Sequence, residues 1–255
     1  MMRIAVIGNS HATAPQLAWY NQLEQLRPDI DVSFFRGHQI GLRAMSVEPE
    51  QRFGCFPQDG EDPELLRHAM RHNKRLSIDL SPLAAVICIG WWYFDTILLM
   101  SLLRQFEIDG IHADAGGKKM SRPAFEHILA QSIQENLPTE SWHNWTAPRV
   151  LHVGMPRRNE TTLEQPFNSA LDLGASAYVW EHTADLFATR LLECGIQDIA
   201  QPTQTIGEHG LSLRQYGIGT RKQISPNHPV KPDHTHMNEA YGILLWRDIF
   251  AALGV

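Results

Sequence analysis

Cysteine is scarce in this sequence: only 3 occur among 255 residues, at Cys55, Cys88 and Cys194. Their number is odd and their spacing is wide, which argues against a disulfide framework and against a Cys-x-x-Cys metal site. Such cysteine usage is typical of proteins in a reducing compartment, so we predict a cytoplasmic location.

Basic residues are also few, and they form no run. The chain has 22 Lys and Arg against 28 Asp and Glu, which gives a formal net charge of -6. A net-negative protein without a basic patch is a poor candidate for binding nucleic acid. We therefore predict that the protein has no nucleic-acid partner.

The chain lacks a linker that would divide it. Its 15 Pro and 18 Gly follow no repeat period, which argues against collagen-like and solenoid architectures. No stretch rich in Pro, Gly and Ser separates two halves of the chain. Hydrophobic residues make up 43% of the sequence, which is enough for a sizeable core. We therefore predict one domain over residues 1–255.

One long hydrophobic run, residues 83–103, has the length of a membrane span. However, Asp95 lies in its middle and Gly90 divides it. The half before Gly90 is rich in β-branched residues, whereas the half after it is rich in leucine. We interpret the run as a buried strand that leads into a buried helix, and we predict no membrane span.

Signals for strands and helices alternate along the chain. Short apolar runs predict strands, and amphipathic stretches bounded by caps and glycines predict helices. This alternation is typical of a parallel sheet covered by helices. We predict an α/β fold, a three-layer α/β/α sandwich with a flavodoxin-like parallel sheet of about five strands. The predicted strands are residues 3–7, 31–35, 84–89, 149–153 and 196–199, and the predicted helices are 13–26, 62–75, 97–106, 125–133, 167–194 and 237–253.

Gly8, Asn9, Ser10 and His11 follow the first predicted strand and open the first helix. In such sheets, chemistry gathers beyond the carboxyl ends of the strands. A serine at this turn can be exposed as a nucleophile, and N–H groups at the helix start can stabilise an oxyanion. The alternative is a serine that only caps the helix. The segment is no dinucleotide fingerprint, because the further glycines of Gly-x-Gly-x-x-Gly are absent.

Asp233 and His236 lie just before the last predicted helix. A nucleophilic serine needs a base within hydrogen-bond reach and a carboxylate that holds this base in the right tautomer. An aspartate and a histidine three residues apart on a turn can meet the second requirement. The alternative is that Asp233 caps the helix and the histidine is solvated. A metal site at Asp233, His228, His234 and His236 is a further alternative, but no His-Glu-x-x-His motif or cysteine pair accompanies them, and we predict no metal.

Taken together, the two segments at the ends of the chain resemble the SGNH (GDSL-type) hydrolases. That family carries Gly-Asp-Ser after its first strand and Asp-x-x-His before its last helix, and residues 237–242 are similar to its usual run after the histidine. The resemblance implies Ser10 as nucleophile, His236 as general base and Asp233 as the carboxylate that orients the base. It also implies hydrolysis of carboxylic esters without a cofactor, on a small-molecule or carbohydrate ester such as an O-acetylated sugar.

The sequence departs from the family pattern at two positions. Asn9 replaces the usual aspartate, and Trp92 stands where the family has the asparagine that completes the oxyanion hole. We therefore expect two backbone N–H groups to hold the oxyanion. One is that of Ser10, and the resemblance implies that the other belongs to a glycine after the second strand, Gly37 or Gly41. The Asn9 amide is a further expected donor.

Gly90, Trp91 and Trp92 follow the third predicted strand, so we expect them to contribute to the substrate pocket. The tryptophans can instead pack the sheet against neighbouring helices. Because Trp92 replaces an oxyanion donor, two alternatives to an ester hydrolase stay open. The first is a weak or inactive relative that binds a glycan or an acylated ligand, and the second is an acyltransferase that uses the same three reactive residues.

Overall fold

The structure is a computed structural model of the 255-residue chain. Gly41, Trp92, His228, His234 and most of the predicted helix at 97–106 lie outside the residues that it describes. The described residues are 1–37, 42, 45–48, 51–56, 63–91, 102–103, 105–111, 118–137, 149–164, 173–207, 209–221, 233 and 235–255.

The described residues form ten strands. In chain order these are β1 (Met2–Gly8), β2 (Ile30–Arg36), β3 (Ser46–Glu48), β4 (Arg52–Gly54), β5 (Ser77–Asp79), β6 (Ala85–Ile89), β7 (Glu107–Ile108), β8 (Lys119–Met120), β9 (Arg149–Val153) and β10 (Gln197–Ile199). Five of them form one parallel sheet, in the spatial order β10-β9-β6-β1-β2. This is the flavodoxin-like order, in which ligands bind at the carboxyl ends of the strands where the order reverses, here β1 and β6.

The central strands are strongly apolar because both faces of the sheet are covered. All five residues of β6 are buried. Along β1, alternate side chains point to opposite faces. Ala5 and Ile7 belong to one hydrophobic core, and Ile4 and Val6 belong to the other. The sheet therefore has a core on each side.

The described residues also form six α-helices. These are α1 (Thr13–Ala18), α2 (Glu24–Leu26), α3 (Pro63–Asn73), α4 (Arg122–Asn136), α5 (Leu173–Glu193) and α6 (Glu239–Leu253). A 3₁₀ turn (Ser10–Ala12) precedes α1, and a π-helical turn (Trp19–Leu23) joins α1 to α2. α1 and α6 pack on one face of the sheet, whereas α3, α4 and α5 pack on the other. The predicted three-layer α/β/α fold is confirmed.

Two small sheets go beyond the sequence prediction. β3, β4 and β5 form an antiparallel sheet, and β7 pairs with β8. Strands of two or three residues are too short to show the alternation from which strands are predicted. The antiparallel sheet contributes to the core, because the rings of Phe53 and Phe35 are in edge-to-face contact at 5.8 Å.

The hydrophobic run at 83–103 contains β6, as predicted, and its residues 92–101 lie outside the described part of the chain. Among the described residues, no helix combines the length and the apolar character that a membrane crossing requires. The cytoplasmic location and the single domain stay predictions.

Candidate active site

Ser10 lies at the turn between β1 and α1, at the carboxyl edge of the sheet. β1 ends at Gly8, where a Cβ atom would lie 2.9 Å from both the Ile89 carbonyl oxygen and the Ala12 Cβ atom. Only glycine fits this close approach. Ser10 begins the 3₁₀ turn and is half-buried. The serine therefore lies at the edge where parallel sheets bind ligands.

Asn9 connects the ends of β1 and β6. Its Nδ2 atom donates to the Gly90 carbonyl at 2.8 Å, and its Oδ1 atom accepts from the His11 N–H at 2.9 Å. The side chain is buried. The position needs a donor on one side and an acceptor on the other, which an amide provides and a carboxylate does not. This accounts for asparagine here, where the SGNH hydrolases usually have aspartate.

Asp233 and His236 form a hydrogen-bonded turn just before α6. Asp233 Oδ1 accepts from the backbone N–H groups of Thr235 at 2.7 Å and His236 at 3.1 Å, and from the Thr235 hydroxyl at 2.8 Å. Asp233 Oδ2 lies 3.0 Å from His236 Nδ1. Because a carboxylate only accepts, Nδ1 carries the proton and Nε2 is the acceptor. The turn therefore fixes both the orientation and the tautomer of the imidazole.

The second ring nitrogen of His236 reaches the serine. Its Nε2 atom lies 2.8 Å from Ser10 Oγ, although 226 positions separate the two residues in the sequence. The serine hydroxyl donates in this contact, since Nε2 is the acceptor. Ser10, His236 and Asp233 therefore form one hydrogen-bonded chain, the arrangement in which a base can take a proton from a serine.

Direct packing of α1 against α6 brings the two ends of the chain together. A Cβ atom at Gly242 would lie 2.3 Å from the Ala14 carbonyl oxygen, so glycine permits the close approach of the helices. Trp246 Nε1 donates to the Pro15 carbonyl at 2.8 Å. Since the serine precedes α1 and the histidine precedes α6, this helix contact sets the distance between them.

The Asp233 carboxyl has an unusual environment for its charge. Burial raises the pKa of Asp233, but hydrogen bonds from His236 and Thr235 favour the charged form. Together these hydrogen bonds outweigh the effect of burial and hold the pKa of Asp233 well below its usual range. The carboxylate is therefore ionised at neutral pH and can stabilise a positive charge on the imidazole of His236.

His11 belongs to this site as well, although the sequence does not predict its contact with His236. Its imidazole stacks on that of His236, with 4.7 Å between the ring centroids and 11° between the ring planes. The only available signal was its position beside the serine. The contact depends on how α1 and the turn before α6 meet, which no local pattern encodes.

The expected backbone donors for an oxyanion differ in their surroundings. Ser10 is the first residue of the 3₁₀ turn, so its N–H has no acceptor within that turn. The Gly37 N–H donates to the Gly8 carbonyl at 3.1 Å, which extends the pairing of β2 with β1. Because the Gly37 N–H already has an acceptor, Gly41 is the remaining candidate for the glycine donor to an oxyanion. Gly41 lies outside the described residues.

Gly90 and Trp91 follow β6 directly. Gly90 has a φ of +67°, and its N–H donates to the Val153 carbonyl at 2.9 Å. Trp91 is 3% exposed, and its ring centroid lies 5.2 Å from that of Phe53. Trp91 therefore packs in the core instead of lining an open pocket. Trp92, the other tryptophan expected at the pocket, lies outside the described residues.

The residues of the metal alternative are only partly described. His228 and His234 lie outside the described part of the chain. The ring nitrogens of His236 face Asp233 and Ser10. Within the described residues, no group of three or more His, Cys, Asp and Glu side chains is placed to hold a metal ion.

Comparison with protein-family models found no match, and comparison with curated proteins found none either. Weak matches among solved structures include a lipopolysaccharide acetyltransferase periplasmic domain from Salmonella ser. Paratyphi A. It is 14% identical over 99% of this chain and 84% of its own, with a TM-score of 0.45. They also include a putative arylesterase from Agrobacterium tumefaciens str. C58, 13% identical over 100% of this chain and 99% of its own, with a TM-score of 0.40. Because both TM-scores are low, we infer the function from the contacts of the site itself.

Proposed function

We propose that the protein is a serine hydrolase of carboxylic esters, and that residues 1–255 form a single SGNH-hydrolase-like domain. Ser10 is the nucleophile, His236 the general base and Asp233 the carboxylate that orients it. The pair of contacts made by His236 supports this most strongly: 2.8 Å to Ser10 Oγ and 3.0 Å to Asp233 Oδ2. A base held between a hydroxyl and a carboxylate is the arrangement that activates a serine.

The reaction proceeds in two halves. In the first, Ser10 Oγ attacks the acyl carbon while His236 Nε2 takes the hydroxyl proton, and the imidazolium then gives this proton to the leaving alcohol. In the second, a water molecule gives a proton to His236 and its oxygen attacks the acyl-enzyme. The carboxylic acid leaves, and the proton returns to Ser10 Oγ. The Asp233 carboxylate stabilises the imidazolium in both halves.

The tetrahedral intermediates need donors about 2.7–3.1 Å from their negative oxygen. In this proposal the first donor is the Ser10 N–H and the second is the Gly41 N–H. Asn9 Nδ2 carries two hydrogens, and the Gly90 carbonyl accepts one of them. In this proposal the other hydrogen serves as a third donor. Trp92 shapes the pocket in place of the asparagine donor of the SGNH hydrolases.

Labelling with a fluorophosphonate probe tests the nucleophile. We expect the wild type to react and Ser10→Ala not to react. Ser81→Ala is the matched control, because Ser81 is exposed, precedes β6 at the opposite edge of the sheet and bonds to Asp79 within its own turn. It should be labelled like the wild type.

The absence of labelling in a folded wild-type protein, from pH 6 to pH 9, would contradict the proposal. That result would favour the second candidate, a weak or inactive relative that binds a glycan or an acylated ligand. Trp92 in the place of an oxyanion donor is the observation that supports this candidate. Labelling of both Ser10→Ala and the wild type would place the nucleophile elsewhere.

A further inference from the structure

A cavity of about 450 Å³ opens at the carboxyl ends of β9 and β10. Its volume falls within the range of small-molecule pockets. α5 forms one wall, and residues 198–206 form another. Only β6 separates β9 from β1 in the sheet, so a strand spacing of about 4.8 Å puts the ends of β1 and β9 about 10 Å apart. The cavity therefore lies at the same edge of the sheet as Ser10.

The inner part of the cavity contains buried polar groups. His152 is fully buried, and its Nδ1 atom lies 2.6 Å from Asp198 Oδ1. Thr183 also lines the cavity and is 3% exposed. Among the described residues, its Oγ1 atom has no hydrogen-bond partner. A buried hydroxyl without a partner is costly, and a ligand that offers a hydrogen-bonding group removes that cost.

Aromatic and apolar side chains form much of the lining. Trp180 is half-buried on the α5 side. Phe187 contacts His152 edge-on, with 5.4 Å between the ring centroids. Met155 and Tyr241 line the cavity as well. Apolar walls with a few polar groups are typical of small-molecule sites, and a wall with a flat aromatic ring suits a ligand that has a flat apolar face.

The mouth of the cavity carries charges of both signs. Glu181 and Asp185 are exposed one turn apart on α5, where two like charges weaken a helix. Arg157 lines the cavity too, and burial lowers the pKa of its guanidinium while the charge of Glu181 opposes this effect. An anionic ligand would face the two carboxylates. Arg157 Nη1 donates to the Gly210 carbonyl at 3.2 Å. A simple amine would face the like charge of Arg157 and could not accept from its other N–H groups.

We propose that this cavity binds a saccharide that carries no anionic group. Sugar hydroxyls both donate and accept hydrogen bonds, which suits the mixed groups at the mouth and the Thr183 hydroxyl. The apolar face of a pyranose ring suits Trp180. The further step, in which this sugar is the alcohol part of the ester cleaved at Ser10, rests on the proposed function.

Binding is measured on the Ser10→Ala protein by isothermal calorimetry and ligand-observed NMR, so that turnover does not interfere. The probes are the methyl glycosides of glucose, galactose, mannose and N-acetylglucosamine at up to about 10 mM, which detects millimolar dissociation constants. Glucuronate is the anionic counterpart. We expect at least one neutral glycoside to bind and glucuronate to bind more weakly. Absence of binding by every neutral glycoside, or tighter binding of glucuronate, overturns the proposal.

Variants of the cavity locate the bound sugar. Thr183→Val removes the hydroxyl but keeps the shape, so the Tm of the ligand-free protein should stay equal or rise while the affinity falls about three- to tenfold. Trp180→Ala should weaken binding by about tenfold. Glu193→Gln changes the charge near the end of the same helix, where Glu193 bonds Arg190 away from the cavity, and should leave binding unchanged. Unchanged affinity in both Thr183→Val and Trp180→Ala overturns the proposal.

The failure of this proposal can be told apart from the failure of the proposed function. If glycosides bind but the fluorophosphonate does not label the wild type, the proposed saccharide site is supported and the proposed hydrolase function is contradicted. If Ser10 is labelled but no glycoside binds, the proposed hydrolase function is supported and the proposed saccharide site is contradicted.

Discussion

The imidazole rings of His11 and His236 are stacked, with 4.7 Å between their centroids and 11° between their planes. The two nitrogen atoms of the His236 ring form hydrogen bonds with Ser10 and Asp233. Two hydrogen bonds at opposite sides of a ring still allow it to tilt about the line that joins them. The stack restricts this tilt, so the neighbour of the proposed nucleophile supports the proposed base.

His11→Ala should therefore lower kcat for ester hydrolysis by about three- to tenfold, because an aromatic pair contributes about 0.5–1.5 kcal/mol. His11→Phe keeps a flat ring over His236 and should retain most of the activity. The measurement is kcat with p-nitrophenyl acetate, together with the Tm of each variant. An equal loss in the two variants at equal Tm would contradict the stacking role.

The central sheet could be predicted from the sequence because each strand is a short apolar run between caps and turns. The predicted strand at 149–153 has the bounds of β9, and the predicted strand at 31–35 lies within β2. The positions of Ser10 and His236, before the first and last helices, predict that both belong to the site. The structure places them within hydrogen-bond distance because those two helices pack directly on each other.

The remaining features depend on tertiary contacts that leave no local pattern. A tryptophan after a strand has the same sequence signature whether it packs or lines a pocket, and Trp91 packs. Gly37 and Gly41 both follow β2, so the sequence does not show which of them is the oxyanion donor. The bond from the Gly37 N–H to the Gly8 carbonyl distinguishes them. The saccharide cavity draws its lining from β9, β10, α5 and α6, which are distant in the sequence.

Asp233→Asn should lower kcat by about 10,000-fold, because the side-chain amide would donate to His236 Nδ1 and force the proton onto Nε2. In that tautomer the imidazole cannot take the Ser10 proton. The backbone bonds to Asp233 Oδ1 can persist in the variant, so the protein should still fold. Asp29→Asn is the control, because Asp29 is exposed and pairs with Arg27, and it should keep wild-type kcat.

Stability should depend on pH through the same carboxyl group. Because the pKa of Asp233 is lowered by folding, its charge contributes fully to stability above about pH 4. The contribution is lost as the pH falls through the lowered pKa. The difference in free energy of unfolding between the wild type and Asp233→Asn should thus be largest at pH 7 and shrink below about pH 4. Urea titrations at several pH values measure it, and a difference that grows in acid would contradict the prediction.

Gly242→Ala should destabilise the protein by about 1–3 kcal/mol and lower kcat, because its Cβ atom would meet the Ala14 carbonyl oxygen at 2.3 Å. A loss of stability would be informative, because replacing glycine by alanine inside a helix normally stabilises a protein by about 0.5–1 kcal/mol. Trp246→Phe removes one hydrogen bond to Pro15 without pushing the helices apart. It should therefore lower the free energy of unfolding and change kcat little. Urea unfolding and ester hydrolysis measure both effects. A stabilised Gly242→Ala protein with full activity would contradict the role of this helix contact.

Asn9→Asp introduces the residue that the SGNH hydrolases usually have, and we expect it to destabilise this chain by about 1–3 kcal/mol at pH 7. The Gly90 carbonyl would lose the Nδ2 donor at 2.8 Å and face a carboxylate oxygen instead. A protonated carboxyl can donate to that carbonyl, so the loss should be smaller at pH 4 than at pH 7. Gln134→Glu adds the same charge at an exposed position of α4 and should change stability little. If Asn9 served only the oxyanion, Asn9→Asp would lower kcat and leave the free energy of unfolding unchanged at both pH values.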